Sequence, residues 1–115
     1  MRRGEIRLVN LDPVVGSEAA HVRPGVIVSN DGANATAQRL ARGVVTVAPV
    51  TSNVTHVYPF QVLLPADETG LDIDSKAQAE HVRSVAVERV GTLIGKVPFH
   101  LMDQLGDALR LHLDL

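Results

Sequence analysis

A chain of 115 residues, 45% hydrophobic and with a net charge of -2, is long enough to build one hydrophobic core and too short for two. It has no Cys, which excludes disulfides, thiolate metal sites and a Cys nucleophile; with 3% aromatic residues and no Trp, the core has to be aliphatic. The mild acidity argues against a protein that coats nucleic acid through a broad basic surface, but it allows a local basic site drawn from Arg23, Arg39, Arg42, Arg83 and Arg89. No apolar run approaches membrane length, and Met1-Arg2-Arg3-Gly4 leads into a strand pattern rather than a signal-peptide core. The expectation is one cytoplasmic domain covering residues 1–115.

In chain order, Ile6 to Val9 reads as a first strand, stopped by Asp12-Pro13 and followed by a loop over 14–21. Val26-Ile27-Val28 is a β-branched run closed by Ser29-Asn30-Asp31-Gly32, as expected of a strand buried on both faces. Arg23 precedes it. Pro24 locks its own φ and pushes Arg23 into extended backbone, so the guanidinium leaves the edge of the core in a restricted direction. Residues 30–42 read as a long connection, functional or mobile, with room for a helical turn at Ala37 to Ala41.

Val44 to Val50 is the third strand, stopped by Thr51-Ser52-Asn53; Tyr58 to Pro65 is the fourth, with prolines that suit strand ends. Asp67 to Asp74 is a turn region with Gly70 its most flexible point. Residues 75–85 fit either a helix opened by Ser75 and Gln78 or an extended segment with a register change, and the extended reading is preferred. A short turn at Val87 to Val90 and a last strand at Gly91 to Val97 follow. Pro98 suits the first turn of a helix, and Leu101, Leu105, Ala108, Leu109 and His112 recur at helical spacing, predicting an amphipathic helix over 98–113. Leu111, Leu113 and Leu115 lie off that stripe, either as a partner surface or as a widened core face. The pattern as a whole predicts a small curved sheet or partly open barrel capped by a C-terminal helix.

The usual catalytic constellations are missing. The five His residues lack metal-ligand spacing, no calcium loop or glycine-rich phosphate loop is present, and Ser29 and Ser52 have no evident partner base. Any hydrolysis therefore has to manage without a metal, a cofactor or a protein nucleophile. Cleavage of RNA through its own 2'-hydroxyl meets that condition, because the protein then has only to orient the phosphate and stabilise charge. Arg23 can supply two parallel donors, and the Thr51 hydroxyl a third. Arginine is a poor base, with an ordinary pKa above about 12, so its charge-stabilising role is the firmer one.

Gly4-Glu5-Ile6, Leu11-Asp12-Pro13, Gly16-Ser17-Glu18, Arg23-Pro24, Val28-Ser29-Asn30, Pro49-Val50-Thr51-Ser52, Tyr58-Pro59-Phe60 and Val82-Arg83-Ser84 follow one another as the signatures of one family do. Over nearly its whole length the chain resembles the MazF/PemK toxin endoribonucleases, the mRNA interferases of type II toxin-antitoxin systems. The resemblance implies an SH3-like, partly open barrel of the plasmid-maintenance type, assembled as a homodimer with single-stranded RNA in the dimer groove. It also implies metal-independent, sequence-specific cleavage to a 2',3'-cyclic phosphate and a 5'-hydroxyl, and inhibition by an extended C-terminal segment of a cognate antitoxin.

Under that resemblance the family's Arg, assigned acid-base work, falls on Arg23, and its transition-state-stabilising Thr falls on Thr51. RNA contacts are expected from Glu18, Ser52, Asn53, His81 and Arg83; an ion pair to Glu80 or Glu88 is the structural alternative for Arg83. Tyr58 and Phe60 are expected in the core rather than against bases. The loops 14–21 and 30–42 are expected to close over RNA and to be displaced by antitoxin. Two positions depart from the pattern: Arg7 stands where relatives often carry Trp, and Val22 replaces a residue that is often polar. A topoisomerase poison of the same fold and a non-catalytic RNA-binding barrel are the competing functions; the first has no need for Arg23 together with Thr51, and the mild acidity makes the second less attractive.

Overall fold

The computed structural model describes residues 1–11 and 22–115. Its strands are β1 (Glu5–Asn10), β2 (Val22–Ile27), β3 (Val44–Thr51), β4 (Gln61–Leu64), β5 (Ser75–Gln78), β6 (Arg83–Ala86) and β7 (Val90–Lys96), and its helices are α1 (Asp31–Leu40), α2 (Ala66–Thr69) and α3 (Phe99–Leu113). The sheet runs β4-β5-β3-β2-β1-β7, with β6 also on β3, and every pairing is antiparallel. The two ends of that path, β4 and β7, do not pair with each other, so the curved sheet stays open, as the sequence pattern predicts.

Where chain length alone predicts a single core, strand alternation gives the curved sheet two apolar clusters, one on each side. Ile6, Val26, Val28, Ala48, Val50, Val62, Leu64 and Ala77 face α3 and bury Leu101, Leu105 and Ala108. Val9, Ile27, Val45, Val47 and Val85 line the opposite side with Ala37 of α1. The core is aliphatic throughout, in keeping with the composition. Residues 75–85 are extended, interrupted by a 3-10 turn at Ala79–His81 that lets β5 and β6 pair successive stretches of the same strand, β3.

Three expectations need correction. Residues 30–42 are mostly helix rather than a long connection: the Asn30 side chain accepts the Ala33 N–H, Asp31 occupies the first turn, and Ala41 ends α1 in the left-handed conformation. Pro98 caps α3 from outside rather than sitting in its first turn, and its carbonyl accepts the N–H groups of Leu101 and Met102, each at 3.0 Å. Tyr58 and Phe60 precede β4 instead of starting it, and Tyr58 is half exposed. Within α3, His112, Leu111 and Leu113 are exposed, as is Leu115 beyond its end.

Arg7 is tied down. Its Nε donates to Glu5 Oε1 at 2.9 Å and its Nη1 to the Gly91 carbonyl at 3.1 Å, stitching β1 to β7 across two register irregularities. Burial works to raise the Glu5 carboxyl, but the Arg7 hydrogen bond, a backbone hydrogen bond at Arg2 and the Arg7 charge outweigh it, leaving Glu5 below the ordinary carboxylate range. The group therefore stabilises the fold above its ordinary pKa, and this contribution is lost as pH falls through the lowered folded-state value. Comparing urea midpoints of wild type and Glu5→Gln should give their largest difference at neutral pH and a shrinking one below the ordinary carboxylate range.

On the other side of β7, a Cβ at Gly95 would lie 2.1 Å from the Thr69 carbonyl oxygen, and Gly70, with φ +84°, turns the chain away from α2 at the same contact. The backbone after α2 can lie against β7 only because both positions lack a side chain. Gly95→Ala should lower unfolding free energy by about 1–3 kcal/mol, the usual range for overpacking. Gly91→Ala, whose nearest neighbour is the Leu8 carbonyl at 3.4 Å, should shift the urea midpoint far less.

Candidate functional site

The site begins with a missing hydrogen-bond donor. Val28 N–H donates to the Thr46 carbonyl at 2.9 Å, and the β2–β3 register continues through Val26 opposite Ala48 and Gly25 opposite Pro49. In an antiparallel ladder the bonded pairs recur every second residue, so the next donor to β3 should be residue 24, aimed at the carbonyl of Val50. Residue 24 is proline and has no N–H. Arg23 supplies the donor instead: its Nη2 lies 3.3 Å from the Val50 oxygen. Extending the register past Pro24 sets Arg23 opposite Thr51, so the two side chains share a face where the ladder opens.

Two cavities meet at Arg23. The larger, about 840 Å³, is lined by Arg23, Thr51 and Ser52 together with apolar Leu8, Pro24, Val50, Leu71 and Ile94 and by Asp72 and Ser75. The smaller, about 340 Å³, holds Arg23 with Gln78, His81 and Arg83 beside Leu11 and Pro49. One guanidinium thus borders both an apolar chamber with hydroxyls and a carboxylate, and a polar chamber with a second arginine. The first suits a nucleobase or sugar, the second a phosphate.

Thr51 is held by its own turn. Asn53 N–H donates to Thr51 Oγ1 at 3.3 Å, and Thr55 N–H to Asn53 Oδ1 at 3.3 Å. With its oxygen accepting from the backbone, the Thr51 hydroxyl keeps its proton to donate into the cavity. Arg83 makes no ion pair with Glu80 or Glu88 among the described residues; its Nη1 donates to the Leu11 carbonyl at 3.3 Å. That bond holds Arg83 at the mouth of the smaller cavity without neutralising it.

Of the residues predicted from sequence, Arg23 comes together with Thr51 and Ser52 in one cavity and with His81 and Arg83 in the other. Asn53 acts through the Thr51 turn. Glu18 lies outside the described residues, as does the loop 14–21. Arg39, Arg42 and Arg89 border neither cavity, and no residue of α1 does. The sequence reading missed the wall from Gly70 to Ser75, which it set aside as a surface turn, and Gln78 and Leu11. Only the close pass of this segment against Gly95 brings it to the site, and no local pattern signals that pass. Among the described residues, no group of three or more His, Asp or Glu side chains could hold a metal ion.

The chain is 64% identical over 115 residues to the endoribonuclease MazF9 of Mycobacterium tuberculosis, covering all of this chain and 98% of that protein. Its fold superposes on crystalline MazF of Deinococcus radiodurans with a TM-score of 0.80 at 25% identity, covering 100% of this chain and 97% of that one. A mycobacterial endoribonuclease solved in complex with its cognate antitoxin shares the fold at a TM-score of 0.75 and 20% identity, with coverage of 100% and 96%. The family described as PemK-like, MazF-like toxin of type II toxin-antitoxin system matches residues 2–113, and the chain belongs to it.

Proposed function

We propose that this chain, an endoribonuclease toxin, cuts single-stranded RNA at a short sequence by attack of the substrate's own 2'-hydroxyl, using Arg23 and Thr51 and no metal or cofactor. The observation that carries this reading is the position of Arg23 on the wall shared by both cavities, across from Thr51. A strand laid through the site would set its scissile phosphate against Arg23, the adjoining nucleotide in the larger cavity and a neighbouring phosphate against Arg83 and His81. Ser52 lines the larger cavity, Asn53 acts through the Thr51 turn, and Glu18 is assigned an RNA contact as well.

In the reaction O2' bonds to phosphorus as its proton passes to water, and the P–O5' bond breaks as the 5'-oxygen takes up a proton. The products are a 2',3'-cyclic phosphate and a 5'-hydroxyl. Negative charge accumulates on the non-bridging oxygens between these events, and the Arg23 guanidinium and the Thr51 hydroxyl donate to them. Arg23 is already oriented by Val50, so little side-chain freedom is lost when phosphate arrives.

The active unit is one domain acting in the cytoplasm as a homodimer, inhibited by an antitoxin whose extended segment covers the Arg23 cavities. Incubation of the protein with long single-stranded RNA in excess chelator should give discrete cuts with cyclic-phosphate and 5'-hydroxyl ends, while matched DNA stays intact. Arg23→Ala should cut about 100- to 1000-fold more slowly, the usual cost of a lost charge-stabilising donor, and Arg23→Lys should also be impaired because one point charge cannot replace a two-pronged donor. Thr51→Ser should retain more activity than Thr51→Ala. Unaltered cutting by Arg23→Ala would refute the assignment. Arg83→Ala should instead weaken RNA binding and lower the slope of log affinity against log salt by about one phosphate contact.

A further inference from the structure

The protein has one tyrosine and two phenylalanines, and its core uses none of them as a central residue. Tyr58 and Phe60 are instead stacked near the surface, ring centroids 5.4 Å apart and planes within 5° of parallel. The exposed His56 ring stands 6.0 Å from Tyr58, tilted by 35°. Phe60 is half-buried and anchors the stack from below, while Tyr58 leaves half of its surface to solvent. An aromatic that has no share in a core, and is nonetheless fixed in a stack, is poised to receive another flat ring.

The platform is anchored by hydrogen bonds just before β4, beside β5, the strand that pairs with Thr51. Tyr58 N–H donates to Gln61 Oε1 at 3.1 Å, its carbonyl accepts the Gln61 N–H at 2.8 Å, and the Phe60 carbonyl accepts the Ala79 N–H at 3.3 Å. Lys76, paired with Thr51 in the β3–β5 register, is nearly buried; its Nζ donates to the His56 carbonyl at 2.6 Å and lies 6.0 Å from the centre of the Tyr58 ring. The segment between Thr51 and Tyr58 is therefore held at both ends, by the Thr51–Asn53 turn and by Lys76. The ammonium also places a positive charge beside the ring, which favours a polyanion arriving there.

We infer that Tyr58, backed by Phe60 and flanked by His56, is a nucleobase-stacking subsite that holds an unpaired base of the RNA outside the Arg23 cavities. The inference rests on the endoribonuclease reading. Stacking gives affinity for single strands with little base preference, because every base presents a π-face. Lys76 is a positioning residue in this scheme, setting the platform relative to Thr51.

Tyr58 is also the only tyrosine in a chain without tryptophan, so its intrinsic emission reports on this ring alone. The experiment uses the full chain and an RNA that wild type is first seen to cut, resynthesised with a 2'-deoxy nucleotide at the cleaved position so that it binds without reacting. Titration, corrected for RNA absorbance with a free tyrosine amide, should quench Tyr58 emission in step with binding measured by anisotropy of the labelled RNA. Tyr58→Leu should weaken that binding about tenfold and raise KM with kcat nearly unchanged, while Tyr58→Phe and Tyr58→Trp should hold affinity near wild type. Emission unmoved at saturating RNA would overturn the subsite while leaving the nuclease intact, and this readout needs no variant to fold. Emission that changes when the protein alone is diluted, but not with RNA, would assign the ring to contact with a second copy and also overturn it. A wild type that cuts no RNA would remove the parent reading at the first step.

Discussion

The site depends on one orphaned carbonyl. β2 and β3 are both interior strands, and their ladder supplies donors regularly until proline at position 24 withdraws the one due to Val50. A buried backbone acceptor left without a donor is costly, and extended backbone before proline points the neighbouring side chain toward the gap. Arg23 fills it with one of its five N–H groups, leaving the others for a ligand. One residue thus both repairs the sheet and directs a guanidinium, and its orientation is inherited from strand register rather than from a loop.

The same register explains why the cavities differ in character. β3 is paired on one edge by β2 and on the other first by β6 and then by β5, with the 3-10 turn at Ala79–His81 bridging the change of partner. His81, Arg83 and Gln78 come from that exchange and make the smaller cavity polar. On the other side the chain after α2 is pressed onto β7 at Gly95 and brings Leu71, Asp72 and Ile73 as an apolar wall with one carboxylate. Asp72 would repel phosphate but can accept from the amino or imino N–H of a base. On the function proposed above, a strand of RNA would therefore meet the cavities in one favourable orientation, with phosphate toward Arg83 and base toward Asp72.

Strong local patterns made most of the frame legible from sequence. β1, β3 and α3 announce themselves through alternation or helical spacing, and Arg23-Pro24 with Thr51 could be singled out as chemistry before their meeting was visible. α1 was not legible, because it buries only Ala37 and Asn34 and so has almost no apolar stripe to read. Its stability comes from polar anchoring, with Asn34 Nδ2 donating to the Ser29 carbonyl at 2.9 Å and Thr46 N–H donating to Ser29 Oγ at 3.0 Å. The signal for it is the Asn30 cap with Asp31 in the first turn. The general habit of aromatics places Tyr58 and Phe60 in the core, whereas aliphatic residues, chiefly Val, Leu, Ile and Ala, fill it. The wall at 70–75 depends on a long-range contact, and nothing within that segment encodes it.

A protein with net charge -2 cannot hold RNA by its overall field, since non-specific affinity comes from many released counterions. Its cations near the site are few, and Arg23 and Arg83 are each partly committed to a backbone carbonyl. In the proposed RNA complex, binding must then draw on shape and stacking, terms that survive salt better than phosphate contacts do. Such terms also require unpaired bases that can be splayed away from their neighbours, which a duplex does not offer. The single-strand preference proposed above would then follow from the shortage of charge as much as from the shape of the cavities. A variant that added lysines around the site would bind RNA more tightly at low salt while discriminating less between structured and unstructured targets.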